Sequence, residues 1–297
     1  MSRSASPALA FAAAVAGIAV FSGMDAIMKG LVIGIGAYSA LFWRNLVGIG
    51  VSGVPYFARP RPKLTRTAMK LHVSRAVITA VMSWLFFWGL ARVPMAQAIA
   101  LSHIAPLLSL FLAAWLLGET VGRRTVLASL VAFAGVLVIL AGQANTDMGP
   151  DAFRGAIAVL ASAVCYAFNI ILMRRQSQVA GPGEIAFFQS LIVAGVYAIG
   201  APWLADWPAG HWIEIAGAAV LAVVSLGFLG WAYAHAPAST LAPSEYTAFV
   251  WASIFGFLVF GETLSAWTIA GAVLIIGGCL WAITGKTATP VAEAALP

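Results

Sequence analysis

The stretch that decides the fold is Trp88 to Thr120, WGLARVPMAQAIALSHIAPLLSLFLAAWLLGET. It returns as Trp231 to Thr263, WAYAHAPASTLAPSEYTAFVWASIFGFLVFGET. The second text lies 143 residues after the first, with no gap. Trp88 maps onto Trp231, Pro94 onto Pro237, and Gly118-Glu119-Thr120 onto Gly261-Glu262-Thr263; further along, Gly135 maps onto Gly278. A constant register held over more than one helix indicates that the chain contains one unit twice.

Working outward, composition sets the medium. Of 297 residues, 62% are hydrophobic and 9% charged, where a soluble domain carries about 25% charged residues. A mean hydropathy of +0.96 leaves too little polar surface to dissolve one buried core. The class that remains is a polytopic α-helical membrane protein with the lipid bilayer as its solvent. The net charge of +6 does not point to nucleic acid, because the basic residues gather at helix ends. Cys165 and Cys279 fall inside apolar runs and read as core residues rather than a disulfide or metal framework. The apolar run after Arg3 reads as a first spanning helix rather than a removed leader.

A spanning helix needs about 20 mostly apolar residues. Such runs predict ten helices, over 8–30, 37–57, 71–91, 95–117, 124–142, 154–173, 184–204, 211–232, 238–260 and 265–284. With a cytoplasmic N-terminus, twelve Lys/Arg fall on the cytoplasmic side, against Lys29, Arg92 and Arg154 outside and Arg44 within a helix. That bias sets both termini inside. The expected fold is an all-α integral membrane protein of ten transmembrane helices in two five-helix repeats. Its parts are residues 1–142, a linker over 143–153, residues 154–285 and a disordered tail over 286–297. Five is odd, so the second repeat enters the membrane the other way round. Inverted repeats are the architecture of many secondary transporters, with the substrate near the midplane and alternating access around it.

The ten helices, the Gly-Glu ending of the fourth helix of each half, the Gly-containing fifth helix and the segment Pro243-Ser244-Glu245-Tyr246-Thr247-Ala248 carry a resemblance. They resemble the drug/metabolite transporter superfamily, EamA-type branch, and within it the bacterial YddG-type amino-acid exporters. The resemblance covers residues 8–284 and implies export of amino acids or related small metabolites. It leaves open uptake of a vitamin or cofactor such as riboflavin or S-adenosylmethionine.

An ionisable group at the bilayer centre costs at least ~2.5–3.5 kcal/mol, so each one needs a reason. Asp25 and Arg44 sit at matched depth, about 10 Å inside the outer face at 1.5 Å per residue. They are expected to pair, either as a structural clasp or as an outer gate and anchor for substrate charge. Lys29, one turn on from Asp25, is expected to snorkel to the surface. Glu245 lies two turns into helix 9, where the first repeat has Ser102. It suits proton coupling or a substrate ammonium, unless a neighbouring helix satisfies it. His103 is a candidate for substrate or proton binding, or else a packing histidine. Pro106 and Pro243 each remove a helix donor and predict kinks usable for gating.

Aromatic side chains supply the remaining candidates. Phe21, Trp43, Trp84, Trp88, Tyr166, Tyr233 and Tyr246 are set to line a cavity that suits ring-bearing substrates and ammonium groups. Asn169 and Gln189 are its polar donors, and Ser102 is a further candidate for substrate binding. Trp203, Trp207 and Trp212 read as an interfacial belt. Gly48, Gly53, Gly227, Gly230, Gly271 and Gly278 mark expected close helix contacts. There is no Gly-x-x-x-x-Gly-Lys-Ser/Thr loop, no metal-type His/Cys cluster and no Ser/His/Asp set. The chain is therefore not read as an enzyme, and no cofactor is expected. The competing class, an intramembrane enzyme acting on lipid, would need an acid/base pair at matched depth. Expected partners are a small-molecule substrate, the bilayer and protons.

Overall fold

The structure is a computed structural model that describes residues 7–58, 64–117, 123–144, 149–235, 241 and 244–283. Its elements are α1 Pro7–Phe57, α2 Arg66–Leu90, α3 Met95–Ser102, α4 Ala105–Leu117, α5 Arg123–Ala144 and α6 Gly149–Ser177. They continue with α7 Pro182–Ala198, α8 Ala201–Leu204, α9 Trp212–His235, α10 Thr247–Phe260 and α11 Ala266–Ile283. Among the described residues the chain is helical throughout its regular structure, because in hydrocarbon a helix satisfies its own backbone.

Four helices are long and apolar enough to cross a membrane: Ala8–Phe57, Arg66–Leu90, Asp151–Met173 and Trp212–Ala232. Shorter apolar helices cover Met95–Ser109, Val126–Gly142, Pro182–Ala198, Thr247–Phe260 and Ala266–Trp281. The first of the four holds 50 residues, a rise of about 75 Å against a hydrocarbon core of ~30 Å. Gly36 divides it with φ 78, ψ 157, a conformation glycine adopts without steric penalty. The expected gap between helices 1 and 2 falls at that residue.

Other boundaries move. The third predicted helix begins at Arg66 rather than 71, capped by Thr65 Oγ1, which accepts from Ala68 N at 3.1 Å. The fourth breaks at His103-Ile104 into α3 and α4. Pro106 follows and has no N–H to continue the ladder. The predicted helix 184–204 divides into α7 and α8. Pro243 lies outside the described residues, as do Gly118, Glu119 and the tail.

The α1 helix packs along α9 and α7, α2 along α6 and α7, α5 along α11, and α3 against α10. Outward-facing side chains are large and apolar: Val54 is 72% exposed, Ile199 76% and Ile213 85%. Such a surface fits lipid rather than water. Small residues set the closest crossings. A Cβ on Gly271 would meet the Gly135 carbonyl at 2.6 Å, and one on Gly278 the Ala128 carbonyl at 2.7 Å. Gly227 and Gly230, expected at such contacts, have nothing within 4 Å of a built Cβ. Trp43 makes edge contacts with Trp207 and Trp212 and donates Nε1–H to the Asp206 carbonyl at 2.8 Å. It thus stands in the tryptophan belt.

Candidate functional site

Polar groups inside this bundle gather in four places. The first is at the C-terminal end of α10. Gly261 takes the left-handed conformation (φ 65, ψ 21) and its N–H closes on the Phe257 carbonyl at 3.0 Å. Glu262 N–H turns back to the Gly256 carbonyl at 3.1 Å, which folds the carboxylate over the helix end. There Oε1 forms an ion pair with Lys29, and Oε2 accepts from Met95 N at 2.7 Å. Lys29 Nζ also donates to the Val93 carbonyl at 2.7 Å and lies 5.1 Å from the Phe260 ring centre. Lys29 is 4% exposed. It does not snorkel, because a carboxylate from 233 residues away reaches it first. One pair thus ties α1, the start of α3 and the end of α10 together.

The second place is one turn deeper. Asp25 and Arg44 lie near enough for their charges to act on each other. Among the described residues they form no direct ion pair, and Asp25 Oδ1 has no hydrogen-bond partner, so the expected clasp is not made. Arg44 instead approaches Met24 Sδ at 3.5 Å and the Phe87 ring at 5.9 Å. Beside it, Tyr197 Oη donates to the Ala80 carbonyl at 2.6 Å and lies 3.2 Å from Ser83 Oγ.

The third is a chain of hydrogen bonds between α2, α6 and α7. Glu184 Oε1 faces His72 Nε2 at 2.9 Å, and His72 Nδ1 faces Gln176 Nε2 at 2.6 Å. Gln176 Oε1 accepts from Arg75 Nη1 at 2.7 Å, Arg75 Nε donates to Asn169 Oδ1 at 3.2 Å, and Asn169 Nδ2 donates to Thr79 Oγ1 at 2.6 Å. The Gln176 amide donates to Nδ1, which leaves the Nε2 proton for the carboxylate. Phe188 stacks on the His72 ring at 4.8 Å.

The fourth lies where the α3–α4 break meets α10. His103 Nδ1 faces the Ile99 carbonyl at 2.7 Å and Nε2 the Glu245 carbonyl at 3.3 Å. Two acceptors face two ring nitrogens; a neutral imidazole donates to one, the cation to both. Tyr246 stacks on His103 at 5.4 Å, and Cys279 Sγ donates to the His103 carbonyl at 3.2 Å. The Glu245 side chain is exposed and acts electrostatically on Tyr166, as does Arg75. Tyr166 is 40% exposed.

The structure therefore brings His103, Glu245, Tyr246 and Tyr166 together and adds Arg75 and Cys279. It places Asn169 in the third group. Ser102 gives its hydroxyl to the Ala98 carbonyl at 2.9 Å and leaves the cluster. Trp88 carries the Arg92 guanidinium 3.6 Å over its ring. Phe21 and Trp84 are both 41% exposed, on α1 and α2. Both polar atoms of the Gln189 amide are buried without a hydrogen-bond partner. The Tyr233 side chain is outside the described residues. Arg75 and His72 escaped sequence reasoning because helix 3 was begun at residue 71, which put them at the membrane edge. Among the described residues no group of three His, Cys, Asp or Glu stands ready for a metal.

Apolar helices that enclose ion pairs and hydrogen-bonded polar chains make up a multi-pass membrane protein built to move small molecules. The chain belongs to the EamA-like transporter family, whose model matches residues 8–141 and again 153–284. It is 28% identical over 264 residues to the pseudopaline exporter CntI of Pseudomonas aeruginosa, covering 88% of this chain and 90% of that one. It is 27% identical to a riboflavin transporter of Vibrio cholerae, over 69% of this chain and 68% of that one. To an S-adenosylmethionine uptake transporter of Rickettsia bellii it is 24% identical, over 77% of each. A solved crystal structure superposes with a TM-score of 0.60 at 21% identity, covering 93% of this chain and 98% of the other; that likeness is one of fold.

Proposed function

We propose that this chain is a secondary transporter of the bacterial inner membrane that exports amino acids, aromatic ones among them, by alternating access. In this reading ten spanning helices form two inverted five-helix repeats with both termini cytoplasmic. The double family match over 8–141 and 153–284 supports it. So does the packing. Shifting by 143 residues and exchanging halves turns the α1–α9 contact into the α2–α6 contact. It returns the α5–α11 contact to itself.

The observation that carries the reading is the difference between the two ends of the bundle. The end at Glu262 is shut by a buried ion pair joining both halves. About 25 Å away along the helical stretch, at 1.5 Å per residue, Glu245 and Tyr166 are exposed, which we read as the open end. In the orientation set by the basic residues this is an inward-facing state awaiting cytoplasmic substrate. Arg75 and Glu245 offer opposite charges, and the stacked His103 and Tyr246 offer a flat aromatic wall. Glu245 or His103 serves as the proton relay if transport is coupled.

Counterflow in proteoliposomes, with labelled amino acids, riboflavin and nucleosides and no imposed ion gradient, tests this. Exchange of amino acids is expected. Exchange of riboflavin alone would favour the second reading, uptake of a vitamin or cofactor, which the riboflavin and S-adenosylmethionine relatives support. No exchange of any compound by folded protein would reject both.

A further inference from the structure

Lys29 and Glu262 show how this bundle treats opposite charges that belong to each other: it brings them into contact and surrounds them with further hydrogen bonds. Asp25 and Arg44 lie one turn away and are treated differently. Asp25 is 2% exposed, and its Oδ1 has no hydrogen-bond partner. Arg44 carries five N–H donors. Its guanidinium gives a hydrogen bond to the Met24 thioether and lies over the Phe87 face. A buried carboxylate oxygen without a partner carries its desolvation penalty uncompensated. An unpartnered carboxylate oxygen and a nearby guanidinium of opposite sign, not joined to it, call for something to lie between them.

What fits between a carboxylate and a guanidinium is a molecule carrying both opposite charges on adjacent atoms. We propose that the gap between Asp25 and Arg44 is a binding site for the head group of an α-amino acid. Arg44 takes its carboxylate and Asp25 its ammonium, while Phe87 and Met24 form the apolar wall. The guanidinium fork matches a carboxylate in two parallel hydrogen bonds. The Tyr197 and Ser83 hydroxyls stand on the Arg44 side. Lys29 follows Asp25 by four residues on the same helix face, so its ion pair with Glu262 roofs the site. The inference deepens the transport reading by naming what the substrate must carry, though its binding chemistry stands apart from movement across the membrane.

The test uses the full chain, purified in detergent micelles, and saturable binding of radiolabelled L-phenylalanine, L-leucine, L-glutamate and L-lysine. L-phenylalaninamide, which lacks the carboxylate, and 3-phenylpropionate, which lacks the ammonium, are the competitors. Wild type is expected to prefer phenylalanine over both by about tenfold or more, since a site with buried polar groups rejects an analogue that leaves one unmatched. In Arg44→Gln the amide should compete on a par with phenylalanine while phenylpropionate stays weak. In Asp25→Asn the pattern should reverse. A merely structural role would move all three probes together. The proposal is overturned by equal competition in wild type, by absence of saturable binding of all four amino acids, or by a uniform change in both variants. The wild-type competition decides even if a variant fails to fold. Binding with the predicted pattern but no counterflow would reject the transport reading and leave the site standing. Counterflow with unchanged discrimination in both variants would reject the site and leave transport.

Discussion

Two glutamates bracket one helical stretch and have opposite fates. Glu262, at the C-terminal end of α10, is folded back by a left-handed glycine onto Lys29 and the Met95 amide. Glu245, before its N-terminal end, has an exposed side chain, and its carbonyl faces His103 Nε2 at 3.3 Å. Both are carboxylates in a chain with 9% charged residues. The difference is in what surrounds them: two fixed partners, Lys29 and the Met95 amide, for one, and for the other a region of rings and a guanidinium. A charge can be buried to hold two halves together, or kept accessible to meet a substrate. This molecule does each at a different end.

The largest expected effect comes from unmaking the closed end. Lys29→Met leaves the largely buried Glu262 carboxylate with the Met95 amide alone. Breaking a buried pair in this way costs roughly 3–5 kcal/mol. The detergent melting temperature should fall clearly, and Glu262→Gln on top of it should restore much of the loss. Equal melting of Lys29→Met and wild type would mean that the two ends do not differ in kind. A smaller effect is expected from Gly256→Ala. The new methyl would stand 2.6 Å from Glu262 Oε2. Overpacking of this kind costs about 1–3 kcal/mol, so the same melt should show an intermediate loss. The smallest effect on stability belongs to the open end. Glu245→Gln should stay within about 0.5 kcal/mol of wild type, as exposed substitutions do, while counterflow slows. An unchanged rate and pH dependence of transport would remove Glu245 from the mechanism and reduce the comparison to one of burial.

Much of the scaffold was legible because helices in lipid announce themselves by length and by what interrupts them. The break at Gly36 and the one before Pro106 follow from single residues whose backbone chemistry is local. The nearness of Asp25 and Arg44 was legible too, since helix rise is constant. The separation of the two was not, because it depends on Met24, Phe87 and Tyr197 arriving from three helices. The pairing of Lys29 was misjudged for a related reason. Four residues beyond Asp25 looks close to the surface, and nothing local says that Glu262 will be turned inward 233 residues later. The chain from Glu184 to Thr79 was hidden by a helix start placed five residues late. Trp43 suits a cavity by its residue type, while Trp207, in a loop, and Trp212, at the start of α9, meet its ring from more than 160 residues on.

The α5–α11 crossing carries a last consequence. Gly135 against Gly271 and Gly278 against Ala128 are images of one another: add 143 to one residue of each pair, subtract it from the other, and the first contact becomes the second. An interface whose two sides are the same surface is isologous, the kind usually found between separate subunits of a dimer. Here it lies within one polypeptide, so the segment joining the halves supplies local concentration rather than specificity. Two half-length chains, made separately in one membrane, already carry the surfaces needed to find each other.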